Sequence, residues 1–87
     1  MSTTKYIQLR KVIQFHEVTR EELKEWTEYE FFRIHKESDE EWVPEEELAQ
    51  VERVIRLHKD LGVNNPGIDI ILRLTHKLEE LQKRQPE

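Results

Sequence analysis

The sequence predicts a mainly α domain, a winged helix-turn-helix with about four helices and a small β-hairpin wing. Its 87 residues suffice for one small domain. A short helical run and a clear helix start at Thr19 lie close together, which outlines a helix-turn-helix. A segment of alternating apolar and polar residues then predicts the wing, and two more helical patterns follow. We expect residues 6–83 to form the domain, between a flexible N-terminus (1–5) and a tail (84–87).

The first helix is predicted over residues 10–15. Leu9, Val12 and Ile13 recur there at helical spacing. Residues 6–9 before it form either a short strand or the lead into this helix.

Helix 2 is predicted from Arg20 to Glu28, after a turn at residues 16–18. It opens with a capping box, in which the Thr19 hydroxyl accepts a backbone N–H and Glu22 reaches back to the Thr19 N–H. A buried stripe is formed by Leu23, Trp26 and Thr27. The residues left outward, which we predict to bind a partner, are Glu21, Lys24, Glu25, Glu28 and, off the buried stripe, Tyr29.

The wing is predicted from the period-two pattern of residues 32–36, a polar turn at 37–40 and a return strand that begins at Trp42. The aromatic residues of this region are predicted to form the core between helix 2, the wing and helix 3. One or two at its edge remain free to anchor a protein partner.

Helix 3 is predicted to start at Pro44, because proline suits the first helical position and the three acids that follow favour the positive end of the helix dipole. Gly62 is predicted to end it in the left-handed conformation. Its apolar face is formed by Leu48, Val51, Val54, Ile55, His58 and Leu61.

Helix 4 is predicted to start with Asn65 as its N-cap and Pro66 in its first turn, and to run to about Lys83. Four apolar residues repeat with coiled-coil spacing: Ile71, Leu74, Leu78 and Leu81. This seam either joins two copies into a homodimer or packs the terminal helix onto its own domain.

The charge is unevenly distributed. Residues 17–47 contain 13 acidic and 4 basic residues, a net charge of −9, whereas the rest of the chain sums to +4. Affinity for nucleic acid depends on lysine and arginine, so this acidic block argues against it and favours a basic protein partner. The alternative is a surface that only keeps the domain soluble.

Other classes of function lack candidate residues. The absence of cysteine excludes disulfides and thiol chemistry and fits a reducing compartment, the cytoplasm. No apolar run approaches the roughly 20 residues that span a bilayer. The four histidines lack metal-ligand spacing, and neither serine suits nucleophilic catalysis. We therefore expect no enzyme, catalytic residue, metal or cofactor.

Short motifs give the chain a resemblance to a known family. They are the TREEL opening of helix 2 (19–23), Trp42-Val43 at the end of the wing, and RVIRLHKDL (53–61) followed by NPGI (65–68). Over roughly residues 6–82 the chain resembles the MerR superfamily of winged-helix proteins, and within it the chaperone modulator CbpM family.

The resemblance implies a regulator that binds the J-domain of a DnaJ/CbpA-type co-chaperone and inhibits it. A J-domain presents a basic helix, which complements the acidic block. Our leading hypothesis is therefore a protein-binding module that uses helix 2 and the wing.

The runner-up is a MerR-like DNA-binding transcriptional regulator. Residues 20–30 contain five Glu against one Arg and one Lys, the wrong sign for a DNA-reading helix, so DNA is the less favoured partner. The bases available to it are Arg20, Lys24, Arg33 and Lys36, with Arg10 and Lys11 nearby, and a symmetric dimer could concentrate them. An orphan structural or phage-type adaptor is a third hypothesis.

Overall fold

A computed structural model describes residues 4–84 and confirms the mainly α winged helix-turn-helix. The elements in chain order are β1 (Tyr6–Gln8), α1 (Leu9–His16), α2 (Arg20–Glu28), β2 (His35–Glu37), β3 (Glu40–Pro44), a 3-10 turn (Glu45–Glu47), α3 (Leu48–Lys59) and α4 (Asn65–Arg84). The predicted flexible ends fall partly outside the described residues. At the N-terminal end, the Lys5 carbonyl accepts the Glu45 N–H at 2.7 Å. At the C-terminal end, α4 continues to residue 84.

The sheet has three antiparallel strands in the order β1-β3-β2. Residues 6–8, which the sequence left open, form a strand and pair Ile7 with Val43. The wing hairpin therefore gains a third strand, which joins it to the start of α1.

The wing departs from the prediction at both ends of its first strand. Phe32, which the pattern placed in the strand, lies with Phe31 in a bend, where both side chains are buried in the core. The strand begins only at His35, and the reversal takes two residues, Ser38 and Asp39, both with positive φ. Positive φ at both central residues suits a tight hairpin turn, although neither residue is the usual glycine.

The start of α3 also differs from the prediction. Pro44 ends β3 opposite Tyr6, and the three acids after it form the 3-10 turn, so the α-helix begins at Leu48. Pairing with β1 holds Pro44 in extended backbone, and the helix start is displaced by one turn. At the other end Leu61 lies beyond the helix and is 68% exposed, contrary to its predicted place on the apolar face.

The N-terminus of α4 is capped by Asn64 rather than by the predicted Asn65. The Asn64 Oδ1 accepts the Gly67 N–H at 2.9 Å, and its carbonyl accepts the Ile68 N–H. A Cβ at Gly67 would lie 2.8 Å from the Val63 side chain, so this close turn needs glycine. Gly62 adopts the predicted left-handed conformation, with φ of +65°.

One apolar core joins the helices and the sheet. Its buried members are Leu9, Val12, Val18, Leu23, Trp26, Phe31, Phe32, Val43, Val51, Val54, Ile55, Ile68 and Leu72. Ile68 and Leu72 turn one face of α4 onto this core. No helix among the described residues is both long and apolar enough to span a membrane.

Candidate functional site

The N-terminus of α2 is fixed by the predicted capping box. The Thr19 Oγ1 accepts the Glu22 N–H, and Glu22 Oε1 accepts the Thr19 N–H, both at 3.0 Å. The other carboxylate oxygen of Glu22 lies 2.7 Å from Nε2 of His58 on α3. The local cap is thus also a contact between helices, which sets the position of α2 relative to α3.

The preceding turn is held from α3 as well. Glu17 ends α1 in the left-handed conformation, with φ of 55°. The Lys59 ammonium donates to the His16 carbonyl at 3.0 Å and to the Glu17 carbonyl. A cation beside the last carbonyls of a helix stabilises that end. The sequence contains no local signal for this contact.

The C-terminal half of α2 is tied to α4. Trp26 is only 1% exposed, and its indole N–H donates to Asn65 Oδ1 at 3.1 Å. The Asn65 amide donates in turn to Glu25 Oε1 at 3.0 Å. This explains why Asn64 caps α4, because Asn65 is engaged by α2.

The outward face of α2 has the predicted exposure. All five residues proposed for partner binding are exposed: Glu21, Lys24, Glu25, Glu28 and Tyr29. Glu21 and Lys24 line one depression beside the helix, Glu25 and Tyr29 line a second one, and Glu28 lines both. Which of them contact a partner remains a prediction.

The first depression, the wing groove, lies between α1, α2 and the wing and has a volume of about 670 Å³. Its apolar lining consists of Leu9, Ile13, Leu23 and Ile34, and its charged lining balances three acids with three bases, namely Glu21, Glu28, Glu41, Arg20, Lys24 and Lys36. Lys36 lies 3.9 Å from Glu41, so part of this charge is compensated internally.

The second depression, the Tyr29 notch, lies between the end of α2 and the start of α4 and has a volume of about 600 Å³. Its lining contains two acids and no base: Glu25, Glu28, Tyr29, Asn64, Asn65 and Pro66. The Tyr29 notch is therefore the flank of α2 whose acids have no base beside them in the lining.

Much of the remaining acidic block is compensated by internal ion pairs. Arg33 bonds Glu46 at 3.1 Å and Glu47 at 3.2 Å, and the hydrogen bond to Glu47 is the main reason that the pKa of Arg33 is raised. By contrast, the ion pairs found within residues 4–84 involve none of Glu21, Glu25 and Glu28. These three carboxylates are available to an external cation.

An apolar stripe runs along the free side of α4. It consists of Ile70, Leu74, Leu78 and Leu81, all more than half exposed. Ile71 of the predicted seam is half-buried, and Ile70 takes its place on the exposed stripe. In the part of the chain that the structure describes, no group of three or more His, Asp or Glu side chains is arranged to hold a metal ion.

The pKa of Glu22 predicts a pH dependence of stability. It is lowered below 4.5, chiefly because the carboxylate accepts the Thr19 N–H and also contacts His58, and these effects outweigh partial burial. A carboxyl with a lowered folded pKa stabilises the fold above its unfolded pKa and loses this contribution as the pH falls through the folded value. We expect wild type to be more stable than Glu22→Gln above about pH 4.5, and this difference to shrink as the pH falls below that value.

Urea unfolding followed by circular dichroism at a series of pH values measures this difference. Glu21→Gln, one position away and without these contacts, should show no such change. A wild-type advantage over Glu22→Gln that persisted unchanged to pH 2 would contradict the role of the Glu22 carboxylate.

The chain matches one family model among known proteins. The model, described as MerR HTH family regulatory protein, covers residues 7–86. No curated protein and no solved structure matches the chain significantly.

Proposed function

The chain belongs to the MerR family of helix-turn-helix regulatory proteins, and we propose that it is a non-enzymatic regulator that binds a DnaJ/CbpA-type J-domain co-chaperone in the cytoplasm and inhibits it. The contact is made by the acidic outward face of α2. The observation that supports this most is the set of exposed carboxylates, Glu21, Glu25 and Glu28, that have no ion-pair partner within residues 4–84.

The position of these carboxylates in the fold supports a protein partner over a phosphate backbone. In a DNA reader the second helix of the motif enters the major groove, where phosphates surround it. Here three uncompensated carboxylates occupy that helix, and each would oppose a phosphate. A basic helix such as that of a J-domain presents the opposite charge. The CbpM resemblance of the sequence names the same partner.

Titration of the purified protein with the J-domain protein of the same cell, by isothermal calorimetry, tests this proposal. We expect a complex that weakens as salt rises, since exposed charges are screened over about 10 Å at 0.1 M salt. Absence of binding at micromolar concentration and low salt would contradict it.

DNA binding is a second candidate function, because one observation favours it. Arg20, Lys24 and Lys36 line the same wing groove, so helix 2 and the wing bring together three of the bases that the sequence left scattered. A DNA-binding regulator would retard DNA in a gel at low salt, and Lys24→Gln would weaken this, whereas a J-domain regulator would not retard DNA.

We also propose that the apolar stripe on α4 joins two copies of the chain. Its four aliphatic side chains are each more than half exposed and lie on one helix face. Single exposed apolar residues are common on protein surfaces, whereas a contiguous patch marks an interaction site. Sedimentation velocity should show a dimer at tens of micromolar that Leu74→Glu converts into a monomer. A wild-type chain that stays monomeric at these concentrations would contradict the pairing.

A further inference from the structure

The Tyr29 notch has a more specific chemistry than the rest of the acidic face, and we propose that it receives an arginine side chain of the partner. This inference rests on the proposed function and names the group of the partner that α2 recognises. The recognition element is a cavity with an aromatic side and a carboxylate side, between α2 and α4.

The aromatic side of the notch is held in place by packing. The chain reverses at Glu30, whose φ is 61°, and the Phe31 N–H returns to the Trp26 carbonyl at 3.1 Å. This brings the Phe31 ring against Tyr29, with centroids 5.0 Å apart and planes 27° apart. Phe31 is buried, whereas Tyr29 is 42% exposed. Tyr29 thus offers an aromatic surface that is supported from below.

The carboxylate side is formed by Glu25 and Glu28, which are one turn apart; Glu25 also lies one turn before Tyr29, and all three residues line the notch. The Glu25 carboxylate is oriented by the Asn65 amide, which is itself fixed by the Trp26 indole. The N-terminus of α4 contributes a partial positive charge of about +0.5, which two carboxylates exceed. The lining includes no lysine or arginine that would neutralise them.

A guanidinium group can contact the aromatic side and the carboxylate side of the notch at the same time. Its plane stacks on an aromatic ring, and its five N–H donors bind carboxylates in the plane of the group. An ammonium binds the carboxylates as a point charge but does not stack in this way. The wing groove lacks this combination, since its charged lining already includes Arg20, Lys24 and Lys36. The occupant that fits the Tyr29 notch is therefore arginine.

The experiment follows the protein by ¹⁵N NMR while a capped tetra-arginine peptide is added, with capped tetra-lysine in parallel. The reporters are the Asn65 side-chain amide, which lines the notch, and the Trp26 indole N–H, which donates to Asn65. We expect both signals to shift with tetra-arginine. The affinity for tetra-lysine should be lower by a factor of roughly three or more. Shifts confined to the wing groove, or equal affinity for the two peptides, would overturn the proposal.

Matched variants distinguish binding at the notch from attraction to the overall negative charge of the protein. Glu25→Gln keeps an oxygen that accepts the Asn65 amide and removes the charge at the notch, whereas Glu21→Gln removes the same charge on the wing-groove side. Glu25→Gln and Tyr29→Ala are expected to weaken tetra-arginine binding roughly three- to tenfold. Glu21→Gln and Tyr29→Phe should retain it within about twofold. Equal losses for Glu25→Gln and Glu21→Gln would overturn the proposal.

Parallel titrations with the J-domain protein distinguish the two proposals. If the J-domain protein binds and Tyr29→Ala does not change its affinity, the arginine-binding role of the notch is wrong and the proposed function stands. If tetra-arginine occupies the notch and the J-domain protein does not bind, the notch is an arginine site but the proposed function is wrong. Loss of J-domain binding in Glu25→Gln and Tyr29→Ala, with retention in Tyr29→Phe, supports both.

Discussion

Replacement of Trp26 by alanine is expected to remove most of the stability of the domain. Trp26 is 1% exposed in the core, and its indole N–H also ties α2 to Asn65 of α4. Loss of a buried tryptophan side chain costs about 3–5 kcal/mol, and a small domain has only about 5–15 kcal/mol in all. For a chain of this size the melting temperature should fall on the order of 20 °C. Thermal unfolding followed by far-ultraviolet circular dichroism measures the change.

Two control variants separate packing from the hydrogen bond at this position. Trp26→Phe keeps an aromatic ring in the core but loses the bond to Asn65, so about 1 kcal/mol is expected from that bond, in addition to the packing loss from the smaller ring. Asn65→Ala removes the same bond from the other side, together with the bond to Glu25. A Trp26→Ala protein that melted within 5 °C of wild type would contradict the placement of α2 against α4.

Reversal of three charges on α2 has the largest expected effect on binding. The variant is Glu21→Lys, Glu25→Lys and Glu28→Lys together. Each exposed ion pair contributes roughly 0.2–1 kcal/mol, and reversal replaces attraction with repulsion of similar size. We expect J-domain binding to weaken on the order of 100-fold at low salt, and by less at 0.5 M salt. Calorimetry at the two salt concentrations measures both values.

A control with the same change in net charge tests whether position matters. Glu52→Lys, Asp60→Lys and Glu79→Lys are on exposed positions of α3, its C-terminus and α4. This variant should keep J-domain binding within a few-fold of wild type. If the two triple variants lose affinity equally, net charge alone explains binding and α2 is not the contact surface.

The parts of the fold that the sequence predicted are those that depend on nearby residues. The capping box between Thr19 and Glu22 spans three positions, and α2 has the predicted bounds. The left-handed residue at Gly62 is similarly a local property. The exposure of Glu21, Glu25 and Glu28 follows from helical phase once the buried stripe is known.

The parts that the sequence did not predict depend on residues far along the chain. Asn64 rather than Asn65 caps α4 because Asn65 is engaged by Trp26, 39 positions earlier. Pro44 extends a strand because Tyr6 pairs with it. No local pattern distinguishes the alternatives in either case, since the choice is made by tertiary contacts.

The division of the candidate site into two surfaces also required the structure. Helical phase places Glu21, Lys24, Glu25, Glu28 and Tyr29 outward, but it does not say which element packs beside each. The wing supplies Lys36 and Glu41 on one flank, whereas α4 supplies Asn65 and Pro66 on the other. One flank is consequently balanced in charge and the other acidic.

We propose that α2, the second helix of this motif, recognises a basic protein surface instead of DNA. The most direct measurement is a ¹⁵N NMR titration of the protein with the unlabelled J-domain of the co-chaperone from the same cell. We expect the largest shifts on Glu25, Glu28 and Tyr29 and on the Asn65 side chain. Shifts restricted to α3 or to the stripe on α4, with α2 unchanged, would contradict it.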